Sequence, residues 1–134
     1  MGNWRIIIKD KMTIRADVAK NRMYMDLVGF FSDFEMQQVY NKFAAEVKKL
    51  HAGFDVITDI SEFKPTTPDG AQKMGETQKL AKDLGLNRVI RIVGTEAGQV
   101  QVARKERELG INSDEATSVA EAEIMLDDAK KAAA

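Results

Sequence analysis

Apolar residues recur at every second position over two short stretches near the start of the chain. Every second residue is apolar in 12–18 and again in 23–28, and a period of two predicts strands with one buried face. The intervening residues 19–22 suit a turn because Asn21 tolerates a positive φ, so we expect an antiparallel hairpin. The apolar segment 4–9 predicts one more strand before it. The hairpin side chains expected to face the core are Met12, Ile14, Ala16, Val18, Met23, Met25 and Leu27.

The apolar period changes to three and four in the next stretch, which predicts an amphipathic helix over 32–52. Ser32 and Glu35 occupy the two positions of a capping box, in which each side chain accepts a hydrogen bond from the other residue's backbone N–H. Gly53 is placed to end the helix. The residues of the apolar stripe are Met36, Val39, Tyr40, Phe43, Val47 and Leu50.

Strand-like and helix-like patterns then alternate to the end of the chain. They predict a buried strand from residue 55, a helix over 68–84 closed by Gly85, a strand over 88–93 and a charged helix over 96–109. A small edge strand or an extended lead-in is expected near 116–119, followed by a helix over 121–130. Strands joined through helices run parallel, with right-handed crossovers. We therefore predict one α/β domain over 1–130, with a mixed sheet of about four to five strands and about four helices. The tail 131–134 is expected to be frayed.

The stretch 55–70 combines a buried strand, a loop and the start of a helix, and it holds both prolines of the chain. Thr66 or Thr67 can cap a helix that begins at Pro68, and the acidic Asp69 suits its first turn. Open α/β sheets place their binding surfaces just beyond such strand ends. The loop is therefore either a phosphorylation or partner-docking site, or a plain helix cap with an acidic first turn.

Composition narrows the classes of function. Lysine and arginine number 20 against 21 for aspartate and glutamate, a balance that argues against a nucleic-acid partner. No cysteine is present, which excludes thiolate metal sites. The apolar runs are far shorter than the roughly 20 residues that cross a bilayer. We expect a soluble cytoplasmic protein with no membrane insertion.

The titratable residues form no recognisable catalytic constellation. His51 is the only histidine, and its place beside a helix end favours a surface role. Ser32 is explained as a helix cap, which leaves no serine–histidine hydrolase. Asp59 at a strand end suggests the phospho-accepting aspartate of a receiver domain, but that chemistry needs Mg²⁺ and an acidic pair where this chain has only Asp10. We predict no enzymatic activity, no metal site and no cofactor.

Several strings of the chain resemble one known family. They are MYMDLVGFFSDFEMQQVYNKF (23–43), VITDISEF (56–63), TTPDGAQKM (66–74), RVIRIVG (88–94) and SVAEAEIML (118–126). Together they resemble the STAS domain, the fold of bacterial anti-sigma-factor antagonists and of the cytoplasmic tail of sulphate transporters. The chain is most similar to the divergent STAS-like group related to the sporulation anti-sigma-factor antagonist.

This resemblance implies a non-enzymatic bacterial regulatory domain with a protein partner, such as an anti-sigma-factor-like kinase or a transporter. The site residues that it implies are the loop residues Thr66, Thr67, Pro68, Asp69 and Gly70, with Asp59 and Ser61 at the supporting strand end. Pro68 and Asp69 stand where the family carries its Ser/Thr pair. Either Asp69 holds a permanent negative charge in place of a phosphate, or the switch is lost, or the displaced hydroxyls of Thr66 and Thr67 serve instead.

Two further expectations accompany the resemblance. The same group resembles lipid-binding CRAL-TRIO domains in outline, which makes a small-molecule or lipid-binding module the alternative function. Its apolar pocket would lie between the first two helices and the sheet. The seven methionines suit such a pocket, although ordinary core packing explains them as well. The second expectation is a homodimer through an exposed aromatic edge near Phe30 and Phe34.

Overall fold

A computed structural model describes residues 10–94 and 97–133 of the chain. The expected strand over 4–9 and the predicted first residue of the third helix, Glu96, lie outside the described residues. The elements in order are β1 (Met12–Asp17), β2 (Arg22–Leu27), α1 (Asp33–Val47), β3 (Asp55–Asp59), α2 (Pro68–Asp83), β4 (Arg88–Ile92), α3 (Gly98–Glu108), β5 (Ser113–Ala116) and α4 (Val119–Ala133). The predicted α/β class, with a five-stranded mixed sheet and four helices, is confirmed.

The five strands lie in the sheet in the same order as in the chain. β1 and β2 form the predicted antiparallel hairpin, and Asn21 takes the expected positive φ in the turn between them. From β2 onward every neighbouring pair of strands is parallel, because the helix after each strand returns the chain to the end of the sheet at which that strand began. β3 is therefore the central strand, and its residues 55–58 are buried.

Helices cover both faces of the sheet. Successive side chains along each strand point to opposite faces, so each strand contributes apolar residues to both faces. Val56 and Val89 join the larger apolar core beneath α1, α2 and α3. Their neighbours Ile57 and Ile90 point to the opposite face and join a smaller cluster. α4 covers that face by packing across β3, β4 and β5.

The capping box at the start of α1 forms as predicted. The backbone N–H of Glu35 donates to Ser32 Oγ at 3.2 Å, and the N–H of Ser32 donates to Glu35 Oε1 at 2.9 Å. A hydrogen bond from Lys11, with that backbone bond from Ser32, holds the pKa of Glu35 below its usual value. These bonds fix the direction in which the chain enters α1, next to the candidate loop.

α1 ends at Val47, five residues before the predicted end. The apolar Leu50 continues the helical period, but the chain has by then left the helix. The side chain of Asn21 accepts from the N–H of His51 at 3.0 Å and donates to its carbonyl at 3.1 Å, which ties this segment to the hairpin turn. Gly53 then takes a φ of 92° at the turn that leads into β3.

Other boundaries differ by a few residues. β1 ends at Asp17, and Val18 is exposed in the hairpin turn rather than facing the core, because its carbonyl accepts the turn hydrogen bond from Asn21. β5 begins three residues earlier than predicted. α4 begins at Val119 and continues to Ala133, so the segment expected to be frayed is helical as far as it is described. None of the described helices is long and apolar enough to cross a membrane.

Candidate functional site

The candidate loop lies where the parallel strands β2, β3 and β4 end. The loop after β3 pairs with the loop after β2, since Gly29 N donates to Glu62 O at 2.8 Å and Lys64 N donates to Gly29 O at 3.0 Å. On its other side, Ile60 N donates to Ile92 O at 3.0 Å. The loop is thus held between its neighbours as a short continuation of the sheet.

Thr66 is a buried anchor for this loop. Its hydroxyl donates to the carbonyl of Phe31 at 2.8 Å, just before α1. Its backbone N–H donates to Gln101 Oε1 at 2.8 Å, and its carbonyl accepts from Gln101 Nε2 at 3.1 Å. One residue therefore joins the starts of α1 and α2 to the side of α3, and its hydroxyl does not reach solvent.

Thr67 is the N-cap of α2, one of the two caps that the sequence allowed. Its Oγ1 accepts from the backbone N–H of Gly70 at 2.9 Å and donates to the carboxylate of Asp33, the first residue of α1. The hydroxyl uses both its proton and a lone pair in these contacts. The N-termini of α1 and α2 are consequently linked side by side.

Close packing explains the glycine in the loop. A Cβ on Gly70 would overlap Thr66 Oγ1 and approach Thr67 Oγ1 to 3.1 Å. Gly98, at the start of α3, has the same role, because a Cβ there would overlap the carbonyl of Phe63. The absence of a Cβ at these two positions lets the starts of α1, α2 and α3 pack closely around the loop.

Pro68 and Asp69 form the exposed part of the loop. Pro68 is the first residue of α2, where its missing N–H leaves no helix hydrogen bond unmade. The side chain of Asp69 makes no hydrogen bond or ion pair with another described residue. A carboxylate in the first turn is favoured by the helix dipole, so the loop presents a fixed negative charge on a rigid base.

Asp59 and Ser61 are close to each other but belong to a different surface. Asp59 Oδ1 accepts from the backbone N–H of Ser61 at 3.0 Å and from its hydroxyl at 2.7 Å. Asp59 lines a groove on the α4 face of the sheet together with Arg15 and Tyr24, whereas Thr66 lies against α1 and α3. These two residues start the loop, and the described contacts do not bring them to Pro68 or Asp69.

The serine and the histidine considered for hydrolase chemistry lie at opposite ends of α1. His51 lies exposed after α1, and Ser32 is occupied as a helix cap. Within the ranges 10–94 and 97–133 no group of three acidic or histidine side chains is placed to hold a metal ion. Among the described residues the side chain of His51 contacts only the carbonyl of Ala52, so no serine–histidine pair is assembled there.

A cavity of about 60 Å³ lies between α1, α2, α3 and the sheet, where the sequence placed the alternative pocket. Its wall is apolar, with Met25, Met36 and Met74 among the lining residues, and Gln78 and Glu106 supply polar groups. An apolar cavity of about 150 Å³ is known to hold benzene. The space is therefore too small for a lipid chain unless the helices separate.

Sequence reasoning missed several charged side chains that lie inside the protein. Arg22, Arg91 and Glu106 are buried, although charged residues are seldom found there. A weak signal existed for Arg91, which falls inside a segment that reads as a strand, where alternate residues must face a covered layer. Arg22 gave no such signal, because it falls in the predicted turn 19–22, whereas β2 begins at Arg22. Nothing in the local sequence marks Gln101 as the partner of Thr66.

Comparison of the chain with protein-family models, with curated proteins and with solved structures gave no match.

Proposed function

We propose that this chain is a STAS-like, non-enzymatic regulatory domain of the bacterial cytoplasm. It acts by binding a protein partner, such as an anti-sigma-factor-like kinase or a transporter, through the loop Thr66–Gly70. The observation that carries the proposal is that different residues of this loop anchor it and face solvent. Thr66 and Thr67 hold its base with hydrogen bonds, while Pro68 and Asp69 remain exposed at its tip.

This geometry favours a permanent charge over a displaced phosphorylation site. The hydroxyl of Thr66 is buried and donates to Phe31 O, so a kinase has no access to it in the folded state. A phosphate on Thr67 would remove the proton that its hydroxyl donates to Asp33 and would lie against that carboxylate, where like charges repel. Asp69 carries its charge without modification and stands in the position of the family's Ser/Thr pair.

A rigid loop also suits recognition. Binding through a segment that is already ordered avoids much of the entropy loss that a mobile loop would suffer. The hydrogen bonds of Thr66 to two other elements provide that order before any partner arrives. The exposed charge at Asp69 would then select a partner with a basic residue at the facing position.

The experiment compares Asp69→Ala with Asp128→Ala, which removes an exposed acid on α4, on the opposite side of the sheet. An affinity pull-down from the native cell, with mass spectrometry, identifies the partner, and a titration then measures its affinity for each variant. We expect Asp69→Ala to weaken binding by about tenfold or more and Asp128→Ala to leave it unchanged. Both variants should unfold close to the wild-type temperature, with at most a small loss in Asp69→Ala from the helix dipole. Equal affinities for the wild type and Asp69→Ala would refute the proposal.

The cavity favours a ligand-binding module as a second candidate. Native mass spectrometry of the purified protein separates the two functions. A small molecule that co-purifies supports a binding module, and the mass of the bare chain argues against it. Because the cavity measures only about 60 Å³, a bound lipid would also require α1 and α2 to move apart, which hydrogen exchange at their contact would detect.

A further inference from the structure

Two phenylalanines at one edge of the molecule are exposed, in contrast to the others. Phe34 is 72% exposed and Phe30 is 47% exposed. The other four phenylalanines of the chain, Phe31, Phe43, Phe54 and Phe63, are all buried. A buried phenylalanine contributes about 1.5–3 kcal/mol relative to an exposed one. Neither Phe30 nor Phe34 gains this contribution from the fold as described.

Phe30 and Phe34 are the sequence neighbours of two residues, Phe31 and Asp33, that bind the base of the candidate loop. Phe31 O accepts a hydrogen bond from the hydroxyl of Thr66, and the carboxylate of Asp33 accepts one from the hydroxyl of Thr67. The segment that leads into α1 is thus bound to the loop that leads into α2. We call the exposed residues Phe30, Asp33, Phe34, Pro68 and Asp69 the aromatic rim. Its members belong to the β2–α1 connection and to the starts of α1 and α2, which the two threonines hold in fixed relation.

The charges on the aromatic rim are acidic and lack ionic partners. Asp33 and Asp69 form no ion pair with any residue in the described ranges. Elsewhere on the same helical layer exposed carboxylates are paired with lysines. Examples are Glu76 with Lys73, Asp83 with Lys79 and Glu108 with Lys105. The rim therefore combines exposed aromatic surface with two carboxylates that form no ion pair within the described part of the chain.

We infer that the aromatic rim is a docking surface for a partner protein that presents an apolar pocket for Phe34 bordered by arginine or lysine. This inference deepens the proposed function and rests on it in one respect, namely that the loop Thr66–Gly70 faces the partner. Exposed apolar patches on a folded domain mark interaction sites, and complementary charge at the border selects the partner. A second copy of the chain is a poor occupant, because it would bring Asp33 and Asp69 against the same carboxylates.

The test selects a phage-displayed library of short random peptides on the immobilised protein and then titrates the enriched peptides by fluorescence anisotropy. The variants are Phe34→Ser, Asp33→Asn, which keeps an oxygen for Thr67, and Val100→Ser as the control. Val100 is an exposed apolar side chain on α3, outside the rim. Because Phe34 and Val100 are both exposed, neither change should disturb the fold.

We expect the enriched peptides to carry arginine or lysine next to large apolar residues. Their affinity should fall about tenfold or more in Phe34→Ser and several-fold in Asp33→Asn, with no change in Val100→Ser. Peptides without basic residues, no rim-dependent peptide at all, or equal binding to Phe34→Ser would overturn the inference. A wild-type dimer in sedimentation that Phe34→Ser dissociates would overturn it too, since the occupant would then be a second copy.

The outcome does not depend on the native partner or on the role of Asp69. If the rim selects basic peptides while Asp69→Ala leaves the native partner's affinity unchanged, the proposed function fails and the docking surface stands. If Asp69→Ala weakens the native partner while the rim selects no such peptides, the proposed function stands and this inference fails.

Discussion

Two buried arginines lie on opposite faces of the same sheet, and their acidic partners differ in exposure. Arg91 of β4 pairs with Glu106 of α3, whose side chain is 4% exposed, and also with Glu115 of β5, whose side chain is 57% exposed. Arg22 of β2 pairs with Glu123 and Asp127 of α4, whose side chains are 23% and 50% exposed. Arg91 thus has one fully enclosed acidic partner, Glu106, whereas neither acidic partner of Arg22 is enclosed.

This difference in exposure reverses the direction in which the acid's pKa moves. Burial raises the pKa of Glu106, and the opposing attraction of Arg91 does not cancel it. Burial also raises the pKa of Glu123, but hydrogen bonds from Lys20, Tyr24 and Arg22 outweigh it and lower the value from 4.5 to about 2. Desolvation thus dominates on the α3 side, and hydrogen bonding dominates on the α4 side.

The comparison shows that the two helical layers are attached differently. The layer with α3 rests on the larger apolar core, and its ion pair is enclosed within that layer. α4 has a smaller apolar cluster, and its charged contacts to Lys20, Arg22 and Tyr24 lie nearer to solvent. We therefore expect the same kind of substitution to have a larger effect on the α3 side.

The largest effect is expected from Arg91→Ala. Removing one member of an enclosed pair leaves a buried charge without a partner, which destabilises a protein by about 3–5 kcal/mol. Urea unfolding followed by circular dichroism measures the loss. The double variant Arg91→Leu with Glu106→Leu is the control, and it should be close to wild type because no charge remains inside. A single variant as stable as the double one would contradict this account.

Arg22→Ala should have a smaller effect, below about 3 kcal/mol, because Glu123 and Asp127 can return to water when the arginine is absent. Arg22→Met keeps the buried volume and should recover part of the loss. The same urea titration measures both variants. If Arg22→Ala were more destabilising than Arg91→Ala, the exposure of the acids would not be the deciding factor.

Much of the fold could be predicted from local patterns. The alternation in β1 and β2, the capping box at Ser32 and the cap before Pro68 all depend on residues within a few positions of one another. The early end of α1 could not be predicted, because it depends on Asn21, which is thirty positions away from His51. The burial of Arg22 is likewise fixed by α4, at the other end of the chain.

The candidate site, like the fold, could be predicted from the sequence only in part. The position of the loop after a central strand and before a helix followed from the sequence. The different roles of Thr66 and Thr67 did not, since Thr66 is buried only because Phe31 and Gln101 reach it from 35 positions on either side. Gly70 reads as a helix residue of low propensity, and its need for close approach becomes evident only when Thr66 is in place.

The smallest effect we predict concerns pH, and its sign should differ between the two faces. The raised pKa of Glu106 means that this group stabilises the fold less as pH rises through and above its ordinary value of 4.5. The lowered pKa of Glu123 gives a contribution that is complete above pH 4.5 and is lost as pH falls toward 2. Unfolding free energies measured from pH 2 to 7 test both directions.

The variants Glu106→Gln and Glu123→Gln assign each part of that profile to one face of the sheet. Glu106→Gln should flatten the profile above pH 4.5 and leave the acid side unchanged, because the amide cannot ionise inside the α3 layer. Glu123→Gln should flatten the profile between pH 4.5 and 2 and leave the neutral side unchanged. If both variants altered the same side, the two ion pairs would be equivalent, and burial would not explain the difference between the layers.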